Sequence, residues 1–293
     1  MHTMQFILNG IIAGSMYSLV AVGFALIYQT GRFFHFAHGV VYATGAYLAY
    51  TLVISLDINP VASFFLAAAL AGVVGVGIDR FVYKPFRKQK APNLVFLIAS
   101  FGIFIFIQNL LQLIYGAQIL TMRTGSVKEG HHFLGAVITN IQILILVVSA
   151  ALCLGLWLFV KRTKLGKAMR AVADDRIAAS VVGINPERII LAAFAIGSAL
   201  AGAAGILISL ETNIKPTMGM NAILKGIIAS IIGGIGSIPG AMFGGLFLGI
   251  AENLGIWKIS AGWKDCIAFV ILIVFLLFRP GGIMGVKSEG ERL

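Results

Sequence analysis

Residues 226–254 read GIIASIIGGIGSIPGAMFGGLFLGIAENL, a stretch of 29 residues whose only charged side chain is Glu252. As one straight helix it would be about 43 Å long, whereas the hydrocarbon core of a bilayer is about 30 Å thick. Its middle, from Gly233 to Gly240, holds four glycines and Pro239, which an uninterrupted helix disfavours. The stretch therefore predicts two apolar helices joined by a glycine-rich break, either as a re-entrant pair or as one kinked span.

The rest of the chain has the composition of a membrane protein. Of 293 residues, 59% are hydrophobic and 11% are charged, against roughly 25% charged in soluble domains. Continuous apolar runs, rather than period-two alternation, favour helices over a β-barrel. We predict an all-α, polytopic membrane protein with about eight transmembrane helical elements, one of them broken or re-entrant. The apolar runs lie near 5–28, 38–56, 60–82, 93–115, 137–160, 188–210, 226–254 and 265–279.

The net charge of +11 gives the chain an orientation. Two segments, 83–92 and 161–188, hold 11 of the 22 lysines and arginines. Basic residues in short loops mark the cytoplasmic side of a membrane protein, so these segments are predicted to be cytoplasmic loops. Counting spans from them places loop 29–37 inside, and the N-terminus and loop 116–136 outside. The charge thus reflects topology and not a nucleic-acid ligand.

The side of the C-terminus depends on the broken stretch. With a re-entrant pair the final run ends inside, whereas with one kinked span it ends outside. The positive-inside rule favours the first arrangement because the last residues include Arg279, Lys287 and Arg292, while Glu289 and Glu291 count little.

Small residues recur every four positions in three of the runs, and such stripes let helix backbones approach closely. We expect them to serve packing within the chain. The stripes are Gly10, Gly14 and Ser18; Gly197, Ala201 and Gly205; and Gly245 and Gly249.

Catalytic and metal-binding patterns are weak. Of the five histidines, only His35 and His38 stand at helical spacing beside a run, and no carboxylate is near them in sequence. This favours a role at an interface or as a hydrogen-bond donor at a helix entry. Both cysteines, Cys153 and Cys266, lie in apolar runs. The sequence contains no G-x-x-x-x-G-K-[ST] motif, so an ATPase would have to be another subunit. Glu252 is the main charge within the runs, while Glu211 and Lys225 flank an outside loop.

Segment 166–184, GKAMRAVADDRIAASVVGI, predicts an amphipathic helix on the cytoplasmic surface. Gly183 suits the left-handed position that ends a helix, and Asn185 followed by Pro186 is typical of the start of the next one. The segment either fits a groove on a partner protein or merely connects two spans. Its predicted apolar face consists of Met169, Val172, Ala173, Ile177, Ser180 and Ile184.

Over nearly its whole length the chain resembles the permease family of branched-chain amino acid ABC importers, and in particular the shorter of their two permease subunits. Three stretches carry the resemblance. They are NGIIAGSMYSLVAVGFALIY with HFAHGVVYATGAY within 9–47; GKAMRAVADDRIAASVVGINPERI at 166–189; and GGIGSIPGAMFGGLFLGIAEN at 233–253, followed by FRPGGIMG at 278–285.

The resemblance implies one transmembrane permease domain over 1–293, in the inner membrane of a bacterial or archaeal cell. It implies three kinds of protein partner besides the lipid bilayer: a second homologous permease, two cytoplasmic ATPases and an extracytoplasmic solute-binding protein. ATP and magnesium would bind in the ATPases and not in this chain. No cofactor, metal or nucleic acid is expected on this chain, and it is expected not to be an enzyme.

The resemblance also suggests two sets of functional residues. Segment 166–184 would dock the ATPase, through Met169, Arg170, Ala171, Asp174, Asp175, Ala178, Gly183 and Ile184. The translocation path would be lined or shaped by Phe36, Ala37, His38, Gly39, Gly233, Gly234, Gly236, Ser237, Pro239 and Gly240.

Two departures from the family bear on the solute. His35 stands where the family commonly has Asn, and Val40 stands where it commonly has Glu. Members of the family carry urea, other amino acids, amides and aromatic acids, and these small solutes are the alternatives to a branched-chain amino acid. The competing class is a self-sufficient secondary transporter or channel with its site at 233–240. A membrane enzyme is disfavoured by the missing acid/base cluster.

Overall fold

The computed structural model describes residues 2–122, 130–133, 135–257 and 260–284. Lys287, Glu289, Glu291 and Arg292, on which the predicted side of the C-terminus partly rested, lie outside the described residues, as does Gly285. Twelve α-helices and one short hairpin follow along the described chain. The helices are α1 (His2–Gly31), α2 (Ala37–Tyr50), α3 (Pro60–Ile78), α4 (Lys84–Lys88), α5 (Asn93–Tyr115), α6 (Asn140–Arg162), α7 (Lys164–Asp174), α8 (Arg176–Val181), α9 (Pro186–Glu211), α10 (Met218–Gly233), α11 (Ile238–Gly255) and α12 (Lys264–Phe278).

The elements between and beyond these helices are short. Helix α2 continues as a π-helical turn, Thr51–Ser55, and α3 continues into α4 through another, Asp79–Tyr83. Strands β1 (His131–Phe133) and β2 (Ala136–Ile138) pair antiparallel, so the run predicted from 137 begins with a strand residue and its helix starts at 140.

Seven continuous helical stretches are long and apolar enough to cross a membrane, and α10 with α11 form a pair bent by 115°. The predicted all-α, polytopic architecture with a break near 233–240 is therefore confirmed. Phe106, Leu113 and Phe278 are 68%, 83% and 83% exposed. Such exposure on candidate spans is expected where side chains face lipid and not water.

The described residues form two compact units. The first unit comprises the described parts of 1–25, 124–153 and 224–293, and the second comprises those of 26–123 and 154–223.

In the first unit, α1 and α11 pack through the predicted small-residue stripes. Gly10, Gly14 and Ser18 of α1 meet the α11 backbone at Gly245 and Gly249. A Cβ atom at any of the four glycines would collide with the facing backbone. The stripes thus serve close helix packing within the chain, as predicted.

In the second unit, α2, α3 and α9 cross where their side chains are smallest. Gly45 of α2 lies against Gly202 of α9, which also meets Ala71 of α3, and Gly205 lies against the carbonyl of Tyr42. This close contact joins α2, which begins with the predicted path residues, to α9, which follows the predicted docking segment.

Candidate coupling segment and translocation path

The predicted coupling segment contains two helices and not the single helix predicted over 166–184. Helix α7 ends at Asp174, Asp175 is extended (φ −145°, ψ 116°), and α8 begins at Arg176. The Asp175 carboxylate accepts hydrogen bonds from the N–H groups of Ile177 (2.7 Å) and Ala178 (3.1 Å). An aspartate at the N-cap accepts hydrogen bonds from the first N–H groups of a helix, which have no partner within it. Starting a new helix at Asp175 therefore competes with continuing α7 through it.

The break changes which side chains face outward. Met169, Val172 and Ala173 of α7 are buried as predicted, but Ile177 is 78% exposed and Ser180 is also exposed. Because the chain restarts at Asp175, the periodicity of α7 does not carry into α8. The predicted common apolar face is therefore wrong beyond Ala173.

The outward surface of α8 is apolar. Ile177, Val181 and Val182 are 78%, 82% and 73% exposed, and they lie outside every candidate membrane span. Arg170, Asp174, Asp175 and Ala178 are exposed on the same segment. Three neighbouring aliphatic side chains presented to water are typical of a surface that another protein covers.

The end of the segment follows the sequence prediction. Gly183 has φ +84°, and the N–H of Ile184 donates to the carbonyl of Ala179 (3.0 Å), which closes the helix end. The Asn185 side chain accepts from the N–H groups of Glu187 and Arg188, and Pro186 is the first residue of α9. Ile184 is half-buried.

Two arginines join this segment to the end of α1 within the second unit. Arg176 donates through Nη2 to the carbonyls of Thr30 (2.6 Å) and Gly31 (2.9 Å). Arg32, directly after α1, donates through Nη2 to the carbonyl of Ala173. Burial, followed by the nearby charge of Arg87, lowers the pKa of Arg176 from its ordinary value.

A buried ion triad lies where α3, α4 and α9 meet. Arg87 contacts Asp79 (2.5 Å) and Glu187 (2.8 Å), and the Arg87 and Asp79 side chains are 7% and 1% exposed. The sequence placed Arg87 in a cytoplasmic loop at 83–92, whereas residues 84–88 are helical and Arg87 turns inward. The available signal was an acidic residue eight positions before a basic residue at the end of a span.

The residues predicted at the start of α2 are buried. Ala37 and His38 are 0% exposed, Phe36 precedes the helix, and its N–H donates to Ser100 Oγ (3.2 Å). Gly39 lies against Gly219 so closely that a Cβ on either glycine would collide with the other's carbonyl oxygen. The predicted path residues 36–39 thus meet the first turn of α10.

His35 is buried beside them. Its Nδ1 lies 2.9 Å from the Tyr83 hydroxyl, and its ring packs against Phe194 with 5.0 Å between ring centroids. Burial, followed by the charge of His38, lowers the pKa of His35 well below 6.5. His35 is therefore a neutral hydrogen-bonding group at physiological pH, placed just before the start of α2.

The glycine-rich break belongs to the first unit. Gly234 and Gly236 have positive φ angles (111° and 82°), and Ser237 Oγ accepts from the N–H of Gly240 (3.1 Å), which caps α11. Gly233 and Gly240 face each other at backbone distance. Pro239 lies in the first turn of α11.

The segment after α12 supplies hydrogen-bond donors to the last carbonyl groups of α10. The N–H groups of Ile283 and Met284 donate to the carbonyls of Ile232 and Gly233, both at 2.8 Å. Gly282, at φ +72°, lies against Gly234. Residues 282–284 of the FRPGGIMG stretch therefore pack directly against the start of the glycine-rich break.

A second charge cluster lies among α10, α11 and α12. Lys225 pairs with the fully buried Glu252 and with Asp265 (2.9 Å), while Tyr17 donates to Glu252 (3.1 Å). Lys225 lies within α10 and is buried, so its predicted place beside an outside loop is wrong. Among the described residues no group of three or more His, Cys, Asp or Glu side chains could hold a metal ion.

Comparison with known proteins gives the family. Residues 6–276 match the family described as "Branched-chain amino acid transport system / permease component". The chain belongs to this permease family. A high-affinity branched-chain amino acid transport system permease protein, BraD of Pseudomonas aeruginosa, is 40% identical to this permease, with 100% of this chain and 98% of that protein covered.

Other relatives agree. LivH of Escherichia coli K12, with the same description, is 37% identical over 100% of this permease and 98% of LivH. A probable LivH of Methanocaldococcus jannaschii is 31% identical over 96% and 93% of the two chains. Among solved structures, PsaBC from Streptococcus pneumoniae in complex with Fab matches with a TM-score of 0.50 at 14% identity, covering 95% of this permease and 91% of that chain. That likeness concerns the fold alone.

Proposed function

We propose that this permease is the shorter membrane subunit of an ATP-driven importer for branched-chain amino acids. One observation carries the mechanistic part: the apolar side chains Ile177, Val181 and Val182 project from a short helix outside the candidate spans. A helix of this kind fits a hydrophobic groove on a partner protein. The high-affinity branched-chain amino acid permeases to which the chain is 37–40% identical support the substrate class.

In this proposal the whole chain acts as one permease domain in a complex. Its partners are a second homologous permease, two cytoplasmic ATPases that bind ATP and magnesium, and an extracytoplasmic solute-binding protein. The lipid bilayer of the cell membrane surrounds it, and the chain itself catalyses no reaction. The description of its relatives as parts of transport systems supports this assembly.

In the coupling step the predicted residues would have three kinds of role. The exposed residues Arg170, Asp174 and Ala178 would contact the ATPase together with the apolar side chains of α8. Met169 is fully buried, so it would support the segment from inside, and Gly183 would form the hinge at its end. ATP binding and hydrolysis in the partners would move α7 and α8, and alternating access would follow.

The path residues are proposed on packing grounds. The turn at 36–39 touches the first turn of α10 at Gly219, and the break at 233–240 ends that same helix. Small residues at both places allow helix shifts with little side-chain rearrangement. Solute selection would rest chiefly on the binding protein.

Purification of the tagged permease from membranes of its own host tests the assembly. We expect an ATPase and a second permease to accompany it, and leucine uptake by the reconstituted complex to require ATP. Competition with valine, isoleucine, urea and amides then tests the substrate class. If urea or an amide inhibited leucine uptake more strongly than valine does, the branched-chain assignment would be overturned.

Substitutions on α8 test the docking surface. Ile177→Asp and Val181→Asp should reduce ATPase co-purification at least about tenfold, because a charge buried at an interface costs several kcal/mol. Lys88→Gln, an exposed change on α4 and outside the segment, is the control and should leave assembly unchanged. Normal assembly of both aspartate variants would contradict docking through α8.

A second candidate is a self-sufficient secondary transporter, and the buried Lys225–Glu252 pair favours it, since ionisable groups within helices often mark transport sites. It predicts that the purified chain alone in liposomes moves leucine down an imposed gradient. The importer proposal predicts uptake only with the ATPase and ATP present.

A further inference from the structure

Two arginines donate to the carbonyl groups at helix ends where α1 meets the segment of α7 and α8. Arg176, the first residue of α8, reaches the last two carbonyls of α1, those of Thr30 and Gly31. Arg32, the first residue after α1, reaches the carbonyl of Ala173 near the end of α7. The contacts run in both directions between chain positions more than 140 residues apart.

The carbonyls involved are those that need external partners. The last four carbonyls of a helix lack donors within it, and their partial negative charge attracts a cation. In α7 the extended backbone of Asp175 ends the hydrogen-bond ladder and leaves the Ala173 carbonyl to Arg32. Hydrogen bonds from guanidinium groups are stronger than neutral ones, so the three bonds form a firm connection.

The backbone of Arg32 is shaped for this contact. Its φ angle is +61°, in the left-handed region that residues other than glycine rarely adopt, and its N–H still donates to the Tyr28 carbonyl (2.8 Å). This conformation ends α1 and turns the arginine side chain toward α7. Four residues further on, the chain enters the buried turn at 36–39.

The junction therefore lies between the two proposed functional regions of the second unit. On one side are α7 and α8 with the exposed docking surface. On the other are the last turn of α1 and the turn at Phe36–Gly39, which packs against Gly219. The start of α9, which follows α8, is held by a separate contact, the triad that joins it to α4 at Arg87.

We propose that Arg32 and Arg176 form a joint that transmits movement of the ATPase-docking helices to the end of α1 and the turn at 36–39. The inference rests on the proposed function as an ATP-driven importer. Both arginines are positioning residues, which contact neither the ATPase nor the solute. Their loss should leave ATPase docking in place while uptake becomes disconnected from ATP hydrolysis.

The experiment uses the complete complex, purified and reconstituted in liposomes, with Arg32→Gln, Arg176→Gln, the double variant and Arg176→Lys. Arg188→Gln, which changes an exposed arginine just after the segment, is the control. Three quantities are measured for each: ATPase retained on the permease, ATP hydrolysed, and leucine taken up per ATP.

We expect each Gln variant to retain the ATPase and to lose at least about tenfold in leucine per ATP, because charge-assisted bonds are removed from buried carbonyls. The double variant should lose no more than the stronger single variant, since the two arginines act on one joint. Arg176→Lys keeps the charge and should recover part of the loss, and Arg188→Gln should behave as wild type.

Two results would overturn the joint alone: wild-type leucine per ATP in both Gln variants, or loss of ATPase retention in step with uptake, which would show that the arginines only shape the docking segment. A wild-type complex that holds no ATPase would overturn the proposed function, and the joint with it, before any variant is compared.

Discussion

At the scale of single residues, the glycines of the apolar helices differ sharply in what surrounds them. A Cβ on Gly245 would collide with the backbone nitrogen of Ser18, whereas a Cβ on Gly155 would meet nothing within 4 Å. We therefore expect Gly245→Ala to lower the free energy of unfolding by about 1–3 kcal/mol, as overpacking does. Gly155→Ala should be neutral or stabilise α6 by up to about 1 kcal/mol.

Thermal unfolding of the two variants in one detergent measures this difference. Both changes add the same methyl group to a helix, so helix propensity cancels between them. Equal melting temperatures for the two variants would show that α1 and α11 can separate without cost, contrary to the packing described here.

The buried imidazole of His35 makes stability depend on pH. Burial lowers the pKa of His35 well below 6.5, so the folded chain keeps it neutral while the unfolded chain takes up a proton near pH 6.5. The stability linked to His35 is thus complete above pH 6.5 and is lost as pH falls toward the folded-state pKa. Between pH 7.5 and 5.5 we expect a loss of about 1 kcal/mol through this residue.

His35→Asn removes the titrating group and should flatten this part of the pH profile. Exposed His132→Asn is the matched control and should keep the wild-type slope. The measurement is the melting temperature of the three proteins between pH 7.5 and 5.5. A slope unchanged in His35→Asn would mean that another group carries the pH dependence.

At the scale of elements, the Asp79–Arg87–Glu187 triad fixes α4 against α9. Arg87→Met leaves the carboxyl group of Asp79, which is 1% exposed, without its partner, which should cost about 3–5 kcal/mol of stability. Asp79→Leu combined with Arg87→Met removes both charges and should restore most of that loss, because neither change then leaves a lone buried ion. Glu187→Gln should cost below about 1 kcal/mol, since that carboxylate is 40% exposed.

The folded yield and melting temperature of the three variants check the triad. If the double variant melted as low as Arg87→Met, the ion pair itself, and not the relief of a lone buried charge, would be the stabilising feature.

Elements formed by interactions between residues close in sequence could be predicted, and those that depend on distant residues could not. The helix end at Gly183 and the start at Asn185 and Pro186 were predicted because their signals act within four residues. The break at Asp175 was missed because an amphipathic pattern continues across it, and a cap competes with helix continuation by a small local margin. Whether the remaining candidate site residues act as proposed stays a prediction.

Long-range partners could not be predicted in the same way. Arg87 lies in a basic stretch with the composition of a loop, and Lys225 stands at the edge of an apolar run. Only the fold brings Asp79, Glu187 and Glu252 to them. The arginine joint likewise depends on contacts across more than 140 residues. Apolar runs and small-residue stripes, by contrast, indicated the membrane helices and their packing faces directly, because a bilayer constrains them residue by residue.

At the scale of the whole molecule, the bent pair determines on which side the chain ends. Helices α10 and α11 have 16 and 18 residues, about 24 and 27 Å, so each approaches the thickness of the hydrocarbon core. Ile283 and Met284, after α12, bond to the carbonyls of Ile232 and Gly233 at the bend. Helix α12 thus returns to the bend, which favours the re-entrant arrangement over one kinked span.

This arrangement predicts the accessibility of two exposed positions that flank α12. With the basic segments inside, a single cysteine at Ser260 should react with a membrane-impermeant maleimide added outside intact cells, and one at Arg279 should react only after permeabilisation. The background carries Cys153→Ser and Cys266→Ser, and a cysteine at Lys164 serves as the inside control. One kinked span would reverse the reactivity of positions 260 and 279 while leaving 164 unchanged, so the reversed pattern would contradict the fold of the bent pair.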